Sequence, residues 1–215
     1  LGLVTALAGE GLDVGLLSTK RFEIDSCENT SGVRFLTAYT GRKHSPFVRP
    51  RQWTDRIRFE FGKPDLVNFH DVYDLFSCGL AAHFRRIGWR YIVTPRGGLR
   101  PVAQQRDWVK KWIANAVFFR RYLQGAATIH ALSDEEASDV LGFDESLRAQ
   151  VVPNGIATSF LQVCDDAPIS GDLSQGDDLV IGFVGALFVH IKGVDLLLEA
   201  IAEVQADETG RRLRF

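Results

Sequence analysis

The feature that most constrains this chain is an alternation of two patterns. Short runs of aliphatic and β-branched residues recur along it, separated by stretches with helical spacing. Val14 to Leu17 follows Gly11, Val33 to Ala38 forms a second run, and Leu66 to Phe69 follows the turn residues Lys63-Pro64-Asp65. Tyr91 to Val93, Ala127 to Ile129 and Gln150 to Val152 continue the series. Strands joined through helices pair in parallel, because the crossover returns the chain to the same end of the sheet. The spacing therefore predicts an α/β fold with a doubly wound, Rossmann-like parallel sheet.

The intervening segments carry their own signals. Leu75, Phe76, Leu80 and Phe84 predict a helix over 73–87, stopped by Gly88. Val109, Trp112, Ile113, Ala116, Phe119 and Leu123 predict one long helix over 102–123. Ser133 with Glu136 three residues on reads as a capping box. From Asp165 to Asp178 the chain turns rich in Asp, Gly and Ser, which predicts a linker. Leu179 to Val184 then restarts as an apolar strand, and Val194 to Val204 as an amphipathic helix. The expected organisation is a first domain over 1–162, a linker over 163–178 and the beginning of a second domain over 179–215. Leu1-Gly2-Leu3-Val4 reads as a helix already under way, and Leu213-Arg214-Phe215 as the start of a strand. The expectation is a fragment with both ends missing and the second domain largely absent.

Composition narrows the function. Apolar residues make up 46% of 215, enough for a packed core, and the net charge is only -2. No run of eighteen apolar residues is present. Three scattered cysteines, Cys27, Cys78 and Cys164, have neither disulfide-framework nor metal-ligand spacing and fit a reducing compartment. Together with the lack of a signal-peptide pattern, this places the protein in the cytoplasm as an expectation. Arg34 to Arg121 holds 18 Lys or Arg against 6 Asp or Glu, whereas Val163 onward holds 4 against 10. A basic middle suits either an anionic partner, a phosphorylated acceptor or a membrane's inner face, or merely a solvated edge. Trp53 and Phe59 lie among basic residues, but no recognised nucleic-acid module surrounds them.

The sharpest motif is Phe183-Val184-Gly185-Ala186-Leu187, followed by Lys192-Gly193 and the apolar helix from Val194. A strand, a glycine loop and a helix start together present backbone N–H groups to an anion. Gly185 lets a ligand approach the backbone, and Lys192 adds a mobile positive charge. By itself, a surface lysine before a glycine turn accounts for it equally well. The spacing fits neither the P-loop nor the three-glycine dinucleotide pattern.

This stretch resembles the start of the C-terminal domain in glycosyltransferase family 4. Val151-Val152-Pro153-Asn154-Gly155-Ile156, Ile129-His130-Ala131-Leu132-Ser133-Asp134-Glu135-Glu136 and Thr94-Pro95-Arg96-Gly97-Gly98-Leu99 are similar to further segments of that family, in the same order. The resemblance implies the two-domain GT-B fold and retaining transfer of a sugar from a nucleotide-sugar donor to a glycan, lipid-linked or small-molecule acceptor. It implies that Lys192, with Gly185 and Gly193, holds the donor diphosphate, and that no metal or other cofactor is needed. Asn154-Gly155 would lie at the donor side, where a tight turn with φ > 0 at the glycine is the structural alternative. His70, after the third strand, is the second catalytic candidate; capping of the next helix is its ordinary alternative. Arg96, after the fourth strand, would meet an acceptor or donor phosphate, or anchor a nearby carboxylate. His44, His83 and His130 read as structural. The family carries Arg where this chain has Ala186, and Asp where it has Ala157. These departures leave a second reading open: a non-catalytic relative, or an inactive fragment of such a fold, that binds phosphates at most weakly.

Overall fold

A computed structural model describes residues 2–18, 33–37, 49–105, 108–156, 178–180, 182–185, 193–206 and 212–214. The chain divides into two compact units, Leu1–Ile156 and Ala157–Phe215. Most of residues 163–178, expected to be a linker, lie outside the described residues.

The first unit is mixed α/β with parallel pairing throughout. Helix α1 (Gly2–Gly9) precedes strand β1 (Val14–Ser18), which pairs in parallel with β2 (Val33–Thr37). Helix α2 (Pro50–Phe61) follows, and the local pattern had not revealed it. Pro50 sits in its first turn, where a missing N–H costs nothing, and only Thr54 and Ile57 on it are buried. A four-stranded parallel sheet then runs in the order β3 (Val67–His70), β4 (Tyr91–Thr94), β5 (Ile129–Ala131), β6 (Ala149–Val151). Parallel strands in sequential order bring all their carboxyl ends to one edge, which places the site.

Between β3 and β4, helix α3 (Leu75–Ile87) begins one turn after the strand. Its cap is Asp74, whose carboxylate accepts from the Phe76 and Ser77 amides at 3.2 and 3.0 Å. Gly88 closes it in the left-handed conformation at φ 74°. Helix α7 (Asp134–Phe143) joins β5 to β6, with Ser133 Oγ accepting from the Glu136 amide at 3.2 Å.

A single helix is expected over 102–123, and from 108 to 124 the chain is continuously helical, with one irregular turn. Helix α4 (Pro101–Gln105) and helix α5 (Trp108–Ala114) lead into a π-helical turn over Asn115–Phe119, then helix α6 (Arg120–Gln124). The Arg120 amide donates to the Asn115 carbonyl, five residues back, which marks the widened turn. Such a turn shifts the phase of the helix. Phe119, Tyr122 and Leu123 face the core, whereas Val109, Trp112 and Ile113 are left exposed.

The core lies between the four-stranded sheet and α3 and α6. Leu80, Phe84 and Val93 have no exposed surface, and Phe69 contacts Phe84, Tyr91 and Tyr122 with ring centroids 5.5–5.9 Å apart. Burying each such side chain contributes roughly 1.5–3 kcal/mol. The Tyr91 hydroxyl donates to the Tyr122 carbonyl at 2.7 Å, so its polar end is satisfied inside the core.

In the second unit, β7 (Asp178–Val180) pairs in parallel with β8 (Arg212–Arg214), and helix α8 (Val194–Ala206) lies between them in sequence. Among the described residues no helix is long and apolar enough to cross a membrane.

Candidate active site

His70 is the last residue of β3, and Arg96 follows β4 by two residues. The register pairs His70 with Thr94, so the two exit loops leave the sheet side by side. Both loops turn through left-handed backbone at non-glycine residues, Asp71 at φ 71° and Arg96 at φ 49°. Each such residue costs on the order of 1–3 kcal/mol and persists only where the surroundings enforce it. The Asp71 amide donates to the Thr94 carbonyl at 3.0 Å, tying one loop to the next strand.

The motif Thr94-Pro95-Arg96-Gly97-Gly98 has a physical reading at each position. Gly97 continues the left-handed turn at φ 77°, which glycine adopts without strain. A Cβ on Gly98 would come 3.1 Å from the Pro95 carbonyl, which accepts the Gly98 amide at 3.0 Å. The turn thus closes tightly and exposes the Arg96 side chain.

Arg96 Nε donates to His70 Nδ1 at 3.1 Å. A guanidinium nitrogen only donates, so His70 Nδ1 is the unprotonated nitrogen and Nε2 carries the hydrogen. Nε2 has no partner among the described residues. The strand ends strip part of the ring's hydration, and this desolvation, followed by the Arg96 charge, holds the His70 pKa below its ordinary value. Asp71 opposes the shift. His70 is therefore a neutral donor through Nε2 at neutral pH. It does not cap α3, since Asp74 does. Arg96 makes no ion pair among the described residues.

Beneath this pair runs a chain of contacts across the strand ends. Thr94 Oγ1 lies 3.0 Å from Asn68 Oδ1 and 3.1 Å from His130 Nδ1. His130 Nε2 lies 2.8 Å from the Val152 carbonyl, which can only accept, so that nitrogen carries a hydrogen. His130 thereby fastens the exit of β6 to the end of β4. Asn68 is missed by sequence reasoning because an inward polar residue within a short strand gives no motif, and the motif that opens with Thr94 does not mark its hydroxyl for this contact.

Asn154 and Gly155 follow this fastening as exposed chain without regular structure. Gly155 is not in the left-handed region, so the φ > 0 turn expected there is absent; the open chain needs no reversal at that point. In the second unit, Gly185 is exposed at a bend, and Gly193 stands before α8 at φ 63°, its carbonyl accepting the Leu197 amide at 2.9 Å. Lys192 and Ala186, like His44, lie outside the described residues.

Burial, with the Asp74 charge second, pushes the Cys78 thiol up to about 12, far from a reactive thiolate. No group of three or more His, Cys, Asp or Glu among the described residues is placed to hold a metal ion.

A parallel α/β unit with polar side chains gathered at its carboxyl edge fits many families. The profile of one, described as a glycosyl transferase 4-like domain, matches residues 1–155. The chain belongs to that family. The match covers the whole four-stranded sheet, His70, Arg96 and the Asn154-Gly155 segment. It supports glycosyltransferase activity as the general function of the chain. No curated protein matches it.

Proposed function

We propose that this glycosyltransferase has the GT-B architecture and moves a sugar from a nucleotide-sugar to an acceptor with retention of anomeric configuration. The first unit would be the acceptor side, and the second the donor side. The observation that carries the reading is the Arg96–His70 pair at the carboxyl ends of β4 and β3, since ligands of open α/β sheets gather at that edge. The neutral His70 would donate through Nε2 to a substrate oxygen, and Arg96 would face a phosphate. Lys192, with Gly185, Gly193 and the Asn154-Gly155 segment, would hold the donor diphosphate. In the transfer, the bond from the anomeric carbon to the diphosphate oxygen breaks, and the acceptor oxygen forms its bond on the same face. The acceptor's proton leaves with the departing diphosphate. Positive charge and N–H groups aimed at that oxygen supply the stabilisation that a metal provides elsewhere.

For the acceptor we propose a lipid-linked molecule met at the inner face of a membrane. Trp108 and Trp112 on α5 are 67% and 69% exposed, with Val109 and Ile113 beside them. An open groove of about 750 Å³ runs between α5 and α7, lined by Leu99, Trp108, Trp112, Asn115 and Phe143. Asn115 Oδ1 is buried there and accepts no hydrogen bond among the described residues. Exposed tryptophans beside basic residues suit the boundary between water and an anionic bilayer.

One experiment with two arms tests this. The full chain is incubated with a panel of UDP-, GDP- and ADP-linked hexoses, with and without EDTA, and products are read by NMR at the anomeric proton. Retained configuration unaffected by EDTA is expected; inverted product or EDTA-dependent transfer overturns the reading. In the second arm, sedimentation with phosphatidylglycerol vesicles at low salt, lost at high salt, is expected. A protein left in the supernatant at low salt replaces the lipid-linked acceptor with a free one.

A further inference from the structure

Glu136 stands in the first turn of α7 and is only 8% exposed. A carboxylate so placed normally serves its own helix, closing a capping box on the cap residue's amide. Glu136 does something else. Its Oε1 accepts from the Gly97 amide at 2.6 Å, and its Oε2 accepts from the Leu132 amide at 2.7 Å. The first bond spans 39 residues and reaches the turn that follows β4. The second holds the chain as it leaves β5. Among the described residues no cation competes for this carboxylate, so both oxygens are committed to backbone donors.

The Gly97 amide is the link next to Arg96. Arg96 and Gly97 are consecutive left-handed residues, and an arginine does not hold that conformation unaided. The Arg96 backbone conformation in turn decides whether Nε meets His70 Nδ1. The loop has a second attachment, from Arg100 to Glu135 at 2.7 Å and to Asp139 at 3.8 Å. Arg100 and Glu135 are largely exposed, and exposed pairs of this kind hold geometry weakly. The short bonds from a sheltered carboxylate to two amides are the stronger constraint.

We propose that Glu136 is a positioning residue: it fixes the turn at Gly97 so that Arg96 is held against His70. The proposal rests on the reading that this pair faces the ligand, and it adds the residue that sets the pair's geometry from another helix. Its chemistry is specific. Both partners are donors, so Gln, with one oxygen and one NH2 group, satisfies only one of them and sets a donor against the other. Gln is nearly the same size as Glu, and a merely space-filling role would survive the change.

The test is NMR on the full chain, comparing wild type with Glu136→Gln and with Glu135→Gln as the exposed neighbour. Nitrogen-15 shifts of the imidazole report which nitrogen carries the hydrogen and whether Nδ1 accepts a bond. In Glu136→Gln the His70 signature of a bonded Nδ1 is expected to fade and its pKa to rise toward the ordinary histidine value. In Glu135→Gln both stay as in wild type. A folded Glu136→Gln with an unchanged His70 spectrum overturns the proposal. Should that variant not fold, hydrogen exchange in the wild type decides. The Gly97 amide should exchange at least about tenfold more slowly than the open-chain Gly155 amide, the factor one hydrogen bond supplies. Equal rates overturn the proposal. The site reading fails separately: unchanged transfer by Arg96→Gln refutes ligand contact by the pair without altering what the His70 spectrum says of Glu136.

Discussion

In the unit Leu1–Ile156, Leu80 and Phe84 on α3 have no exposed surface; in Ala157–Phe215, Leu196 and Leu198 on α8 are 67% and 61% exposed. Both helices are apolar on one side and connect parallel strands. The difference is what they have to pack on. Helix α3 lies against a four-stranded sheet and shares its core with α2 and α6. Among the described residues, helix α8 has only a pair of three-residue strands beside it, and two such strands give a helix little surface to pack on. An apolar sequence pattern therefore proposes a buried face, and the described surface beside it decides whether burial follows. The polar cluster at the carboxyl edge stands on the well-buried unit, as a site requiring fixed geometry must.

The largest effect that could break this contrast is in the core. Phe84→Ala should cost about 3–5 kcal/mol in urea denaturation of the full chain, because it removes a buried ring packed on Phe69 and Trp89. Leu198→Ala should stay within about 0.5 kcal/mol, since its side chain is already in water. Comparable losses from the two substitutions would erase the distinction.

A smaller effect separates two glycines. Gly97→Ala should destabilise by about 1–2 kcal/mol, the strain of a side chain in left-handed backbone. Gly185→Ala should change stability by less than about 0.5 kcal/mol. Its Cβ would come 3.1 Å from the Phe183 ring, which is exposed and can turn away. The same denaturation series reads both.

The smallest effect concerns pH. The folded-state pKa of His70 is lowered, so between that value and the ordinary value the unfolded chain binds a proton that the folded chain does not. Stability should fall as pH drops through about 6.5, and level off below the folded pKa. His70→Asn should flatten that part of the profile, below about pH 6.5. An identical pH profile in the variant would mean that His70 is as well hydrated as in the unfolded chain.

Local chemistry made much of the fold legible. Strands β1 to β6 lie within two residues of the runs that signalled them, and Gly88 and Ser133 do at α3 and α7 what their types suggest. Within the helix expected over 102–123, the π turn at Asn115–Phe119 leaves no trace in the pattern, because it inserts a phase shift without changing which residues are apolar. Trp112 and Ile113 fit a buried stripe by spacing and are nonetheless exposed. Helix α2 went unseen because only Thr54 and Ile57 are buried on it, too few to make a period.

The site was legible in part. His70 and Arg96 could be placed at strand ends by the rule that ligands gather there, and the structure brings them to 3.1 Å of each other across 26 residues. Their bond, and with it the tautomer of His70, depends on the register of β3 against β4, which no local pattern encodes. Glu136 was read as a cap by its distance from Ser133. Its side chain instead answers donors whose positions are set by the sheet.

Arg96 and His70, at the carboxyl ends of β4 and β3, are proposed to meet the substrate of glycosyl transfer. The most direct measurement is the rate of nucleoside diphosphate release by the full chain with its preferred hexose donor and acceptor, compared between wild type and Arg96→Gln. A loss of about a hundredfold is expected, the usual scale for removing one aimed donor, with the denaturation midpoint unchanged. A folded Arg96→Gln that turns over at the wild-type rate would contradict it.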